Sequence, residues 1–300
     1  MATHEVHSIR VGLVGAGPWA RSVHAPGLAE HSGTTLAAVW ARRPEAAAEV
    51  ASANGATAVG TFDELLSTVD AVAFAVPPAI QADLAVRAAE AGKHVVLEKP
   101  IASTVDEAER LADKVSEAGV ASLVMLTRRF TPAVASWLDG VRSTGGWTGG
   151  NAKWLSGALL GGVYSHSPWR HDGGALADIG PHTLDLLDAA LGPITGVLAA
   201  HRVAEDDLWH LLLEHEGGAT STVTMCMRLP VQPTVIDFAV FGEHGYRDLQ
   251  AGDGTPNEAF SVLLDDFGKL ISSGDRSHPC DVHRGVHLQK VLDAVLRKLG

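Results

Sequence analysis

"VGLVGAGPWA", residues 11–20, runs an apolar strand into a glycine turn, and its reading decides the fold. Gly15, Gly17 and Ala20 take the small positions of G-x-G-x-x-G/A. The first tightens the turn, the second lets the backbone approach a pyrophosphate, and the third lets helix and strand pack closely. Phosphates then meet free N–H groups where the helix begins. Glycines also fill ordinary turns, so the flanks must agree. Here "IRVGLV" reads as a strand, and a helical pattern follows from about Trp19 to Glu30. Both flanks fit a dinucleotide-binding βαβ unit.

The same rhythm continues outward. "TLAAVWA" is a second strand, Pro44 suits the first turn of a helix, and Thr61 with Glu64 has capping-box spacing. "AVAFAV" is a third strand ended by Pro77-Pro78, then "QADLAVRAAEAG" reads as a helix and "HVVLE" as a strand. Thr104 and Glu107 open another helix before the strand "ASLVML". Strands separated by helices of this length imply crossover connections and a parallel sheet covered on both faces. The expected fold class is α/β: a Rossmann-type, doubly wound parallel sheet over residues 1–125.

After Leu126 the pattern changes. Glycine clusters flank a strand near "AKWLS", and one helix is expected over roughly Ala175–Leu191. "ATSTVTMCM" alternates, with Thr220, Thr222, Thr224 and Cys226 on one face. "TVIDFAVFG" follows, and the C-terminus repeats apolar residues at helical spacing. Residues 126–300 are thus expected to form a second, α+β domain with a mostly antiparallel open sheet.

Bulk properties narrow the partners. Of the 300 residues, 46% are hydrophobic and 19% charged, which excludes a disordered chain. A formal net charge of −12 argues against nucleic acid or an anionic membrane as partner. Cys226 and Cys280 have no metal-binding spacing, and the N-terminus has no signal-peptide core. The expectation is a cytoplasmic protein without a metal.

Three groups of residues carry chemistry. The second strand ends in Ala41-Arg42-Arg43, where NAD enzymes place an acid for the ribose hydroxyls. The arginines are either a solvated strand end or a clamp for a 2′-phosphate. "VVLEKPIA", residues 95–102, carries Glu98 and Lys99 at the strand end, where parallel sheets bind ligands. "GGALADIGPHTLDLLDAALG" holds Asp178, His182 and Asp185. Pro181 either sits in the first turn of a helix, leaving Asp178 in the loop before it, or kinks that helix. A histidine beside a carboxylate suits proton transfer from an alcohol, while a capping acid is the plainer alternative.

"GAGPWA", "AGKHVVLEKPIA", "TRRFTPA" and "GGALADIGPHTLDLL", in this order, resemble the glucose–fructose oxidoreductase/inositol dehydrogenase (Gfo/Idh/MocA) family along nearly the whole chain. The resemblance implies an NAD or NADP cofactor, a substrate held between two domains, and a sheet that mediates homodimers or homotetramers. It puts Glu98 near the nicotinamide ribose, points Lys99 at the oxygen on the reacting carbon, and completes the catalytic set with Asp178 and His182. The expected cofactor-binding residues are Gly15, Gly17, Pro18, Trp19, Ala41, Arg42, Arg43, Pro77, Glu98 and Lys99. Many members carry Thr-Pro after the third strand and a histidine four residues past the proline; this chain has Val76-Pro77 and Gln81. Trp154, Tyr164, His166, Trp169, Arg170 and His171 are further pocket candidates.

The expected activity is hydride transfer between NADP (NAD as the lesser cofactor) and a secondary alcohol or ketone of a polyol, sugar or cyclic diol. Two alternatives are an NAD-dependent glycoside hydrolase of the same fold and a cofactor-binding sensor without activity. The presence of Lys99, Asp178 and His182 together disfavours the sensor.

Overall fold

The computed structural model describes residues 8–250 and 254–299. The chain forms two compact units, described in turn.

The first unit holds the described residues up to Met125 and the stretch Thr255–Val286. In chain order it contains β1 (Ile9–Val14), a π-wound turn over Ala20–His24, α1 (Ala25–Glu30), β2 (Thr34–Trp40), α2 (Pro44–Ala53) and β3 (Thr57–Ala58). α3 (Phe62–Thr68), β4 (Ala71–Phe74), α4 (Pro78–Glu90), β5 (His94–Leu97), α5 (Val105–Ala118) and β6 (Ser122–Val124) follow. The strands lie in the order β3-β2-β1-β4-β5-β6, and every pairing is parallel. All four residues of β4 are buried, as a central strand covered on both faces requires. Thr61 caps α3, and Thr104 with Glu107 forms a reciprocal box on α5, as their spacing predicts.

The second unit opens with a 3₁₀ turn over Thr127–Phe130, then α6 (Pro132–Thr144), β7 (Trp147–Leu155), α7 (Pro168–Asp178) and α8 (Gly180–Leu191). β8 (Ile194–Val203), β9 (Leu208–His215), β10 (Thr220–Cys226), β11 (Val235–Gly242) and β12 (Gly245–Asp248) follow. They form a sheet in the order β12-β11-β7-β10-β9-β8, antiparallel except where β10 meets β7. α8 covers one face. A Cβ on Gly150 would lie 3.0 Å from Leu191 of α8 and 2.9 Å from a backbone oxygen, so glycine lets helix and strand approach. On the other face Thr220 and Thr222 are exposed. Cys226, which the alternation puts on the threonine face, is buried, with its thiol donating to the Asp206 carbonyl.

Two expectations change. The helix foreseen over Ala175–Leu191 is the end of α7 plus α8. The second domain does not run unbroken from 126 to 300, because α9 (Pro256–Ser273) belongs to the first unit. The reason is its apolar face: Phe260 packs against the His24 ring and over Gly27, and the Phe267 ring meets His94 edge-on. α10 (Val282–Leu299) ends the described chain, its residues from His287 onward in the second unit. No helix among the described residues is long and apolar enough to cross a membrane.

Candidate active site

The glycine turn lines a cleft of about 490 Å³ in the first unit. Gly15 has φ +121°, and a Cβ there would lie 2.4 Å from the Ala75 carbonyl oxygen, so only glycine closes the turn. Gly17 differs: a Cβ would meet no protein atom within 4 Å. Packing therefore does not ask for glycine at 17, whereas a pyrophosphate lying against the backbone does. Ala20 is fully buried, as close helix–strand contact demands.

Ala41, Arg42, Arg43 and Pro77 line the same cleft, and no acidic residue does. Both arginines are exposed and make no ion pair with any described residue. The residues present thus fit a dinucleotide: a bare glycine backbone for the pyrophosphate and free guanidinium groups beside the position of the missing acid.

At the end of β5, Glu98 is not simply a charge reaching water. Its Oε1 accepts from the indole Nε1 of Trp19 at 2.6 Å and from Nε2 of His24 at 2.8 Å. The His24 side chain is fully buried, and its Nδ1 has no hydrogen-bond partner. Trp19, expected at the cofactor, spends its donor on this carboxylate. Pro18 sits exposed beside it in the first helical turn, a position proline suits.

Gln81 fixes the backbone of the same segment. It is fully buried; its Oε1 accepts from the Glu98 N–H at 2.8 Å, and its Nε2 donates to the carbonyls of Glu98 at 2.7 Å, Ile101 at 3.1 Å and Pro100 at 3.4 Å. The side chain that departs from the family pattern is therefore the one that shapes the strand end carrying Glu98 and the half-buried Lys99.

In the second unit Asp178 is the last residue of α7, and His182 lies in the first turn of α8. Pro181 occupies that first turn, as one of the two alternatives held, but Asp178 ends a helix rather than a loop. Both side chains are buried. Arg170 Nε donates to Asp178 Oδ2 at 3.0 Å while its guanidinium lies over the rings of Tyr164 and Trp169. Trp154 stacks on His182 with centroids 5.9 Å apart. His171 bonds the Ser165 carbonyl, and His166 is exposed. Asp185 is buried against Arg129, at 3.1 and 3.3 Å.

Two features behind this site escaped sequence reasoning. α7 turns sharply at Gly174, φ +58°, where a Cβ would lie 2.2 Å from the Asp207 carboxylate. That buried carboxylate accepts from Ala175 N–H, Trp209 Nε1 and Arg202 Nη2, so it anchors the last turn that presents Asp178. The second feature is His24, a lone histidine with no motif of its own; only the contact with Glu98 reveals it.

Residues 9–126 match the model of an oxidoreductase family with an NAD-binding Rossmann fold, and residues 149–247 match the GFO/IDH/MocA C-terminal domain. The chain is 31% identical to an uncharacterised oxidoreductase of Synechocystis, over 89% of this chain and 82% of that protein. It is 38% identical to a 4-carboxy-2-hydroxymuconate-6-semialdehyde dehydrogenase of Sphingobium, over 42% of this chain and 40% of that one. A levoglucosan dehydrogenase solved with NADH and levoglucosan shares the fold, with a TM-score of 0.83, 22% identity and 97% of both chains covered.

Proposed function

The chain belongs to the Gfo/Idh/MocA oxidoreductase family, and on that premise we propose that it is an NADP-preferring dehydrogenase acting on a secondary alcohol or ketone of a polyol, sugar or cyclic diol. The observation that carries the cofactor choice is the cleft holding Gly15 and Gly17 together with Ala41, Arg42 and Arg43, and no acid. An acid there would bond the ribose hydroxyls and repel a 2′-phosphate. Ala41 does neither, and guanidinium forks suit phosphate oxygens. One hydrogen bond to a charged group contributes about 1.5–3 kcal/mol, so NADP should be preferred at least about tenfold.

The nicotinamide, when bound, accepts or returns a hydride. The chain's own groups do the rest. Glu98, held by Trp19 and His24, is placed for the nicotinamide ribose. His182 takes the substrate hydroxyl proton at Nε2, since its Nδ1 is buried. The Lys99 ammonium offsets charge gathering on the substrate oxygen, and Asp178, steadied by Arg170, orients the histidine. The levoglucosan dehydrogenase complex supports a sugar-like substrate.

A homodimer or homotetramer completes the proposal. On the uncovered sheet face, Thr222 pairs with exposed Leu212, and Phe241, 40% exposed, lies over Gly149 in the row of Thr220. Such a patch on a sheet favours a second copy. The two buried cysteines, neither in a disulfide, suit a reducing, cytoplasmic setting. The deciding experiment is the ratio of kcat/KM for NADP and NAD, measured on a polyol and ketose panel. Parity, or an NAD preference, would reduce Arg42 and Arg43 to a solvated strand end.

A further inference from the structure

The 3₁₀ turn that opens the second unit carries two arginines with opposite surroundings. Arg129 is neutralised by the buried carboxylate of Asp185. Among the described residues Arg128 has no acidic partner, and its side-chain N–H groups make no hydrogen bond with them. Its guanidinium lies over Trp154, whose ring centroid is 5.3 Å from the guanidinium carbon. Burial pushes its pKa down. Taking a guanidinium partly out of water without a counter-charge is costly. A cation–π contact offsets only part of that cost and leaves the N–H fork unused.

The position of this charge gives it a use. The indole under Arg128 is the one that stacks on His182, so the free fork and the proposed proton-transfer group share one aromatic platform. A substrate with its hydroxyl at the imidazole and its far end at the guanidinium would use both groups. The nearby carboxylates do not compete for that fork, since Asp185 is held by Arg129 and Asp178 by Arg170.

We propose that Arg128 recognises a carboxylate on the substrate, which makes the substrate a sugar acid or other polyhydroxy acid rather than a neutral polyol. A single planar fork matches the two oxygens of a carboxylate. A dianionic phosphate would call for more cationic donors than this one supplies. The assignment rests on the dehydrogenase reading for its location, because it takes His182 as the reacting end of the site.

The test compares matched pairs with the full-length protein: D-gluconate against D-glucitol, D-glucuronate against D-glucose, and L-tartrate against erythritol. The unmodified protein should favour the acid of at least one pair, and Arg128→Met should lower that acid-to-neutral ratio of kcat/KM by about tenfold to a hundredfold. Arg128→Lys keeps the charge but not the fork, and should lower the ratio severalfold if the methionine variant does not fold. No preference for any acid, or an equal loss on both members of a pair, would overturn the inference. If no compound turns over, the dehydrogenase reading fails on its own. Calorimetric binding of the same three acids then decides the present one: binding that Arg128→Met abolishes supports it, and no binding overturns it.

Discussion

Replacing Gln81 by methionine isolates what this buried amide contributes. The two side chains have similar length and volume, so the change removes hydrogen bonds without opening a large cavity. Four bonds disappear, leaving the Glu98 N–H and the carbonyls of Glu98, Pro100 and Ile101 without their side-chain partner. An unsatisfied buried donor or acceptor costs about 1–3 kcal/mol. The N–H has no second option, while the carbonyls can recover part of the loss through small shifts, so a net destabilisation of about 2–4 kcal/mol is expected. For a unit of this size, each kcal/mol lowers Tm by about 2–4 °C. Calorimetry should therefore show a drop of roughly 4–16 °C. The same loosening frees the segment that carries Glu98 and Lys99, so kcat should fall while the KM for cofactor changes little. A melting point within a degree of the unmodified protein would refute the idea that Gln81 holds this backbone.

Ala41→Asp combined with Arg42→Ala should reverse the cofactor preference, read as the ratio of kcat/KM for the two nucleotides. Lys99→Ala and His182→Ala should each lower kcat by about 10²–10⁴-fold with NADPH affinity, measured by fluorescence titration, nearly intact. His94 Nδ1 accepts the Ala121 N–H, and burial followed by nearby Arg276 lowers its pKa below 6.5. The unfolded chain then binds the proton first, so the stabilisation is present above about pH 6.5 and lost as pH falls below it. Urea titrations between pH 7.5 and 5.5 should show that slope, shallower in His94→Asn, with buried His215 contributing in the same direction. Light scattering at micromolar concentration should give a dimer or tetramer; a monodisperse monomer would leave the threonine face of β10 without its proposed cover.

The Rossmann unit was legible because its signals are local. A glycine turn, capping pairs and alternating strand and helix periods each lie within a few residues. The contributions of α9 and Asp207 were not legible for the opposite reason. An amphipathic helix announces an apolar face but not the unit that receives it, and α9 went to the unit far from it in sequence. The bend at Gly174 depends on a carboxylate 32 residues beyond the N–H it holds, at Ala175. Gln81 stands out in the sequence as a departure, but only its four backbone hydrogen bonds show its use. The arginines of "TRRFTPA" look equivalent as letters; Asp185 and Trp154 make them different.

An α-helix advances about 100° per residue, which would set Trp19 and His24 about 140° apart around the axis. Only one of them could then reach Oε1 of Glu98. The π-wound turn instead bonds residues five apart, Ala25 N–H to Ala20 O, and its wider winding, about 4.4 residues per turn, brings residue 24 to within about 50° of residue 19. Losing one residue between the two would leave them four apart, aligned again in ordinary α winding. Gaining one would put them out of phase in either winding. The grip on Glu98 can therefore survive shortening of this helix but not lengthening, which makes its length a property of the active site.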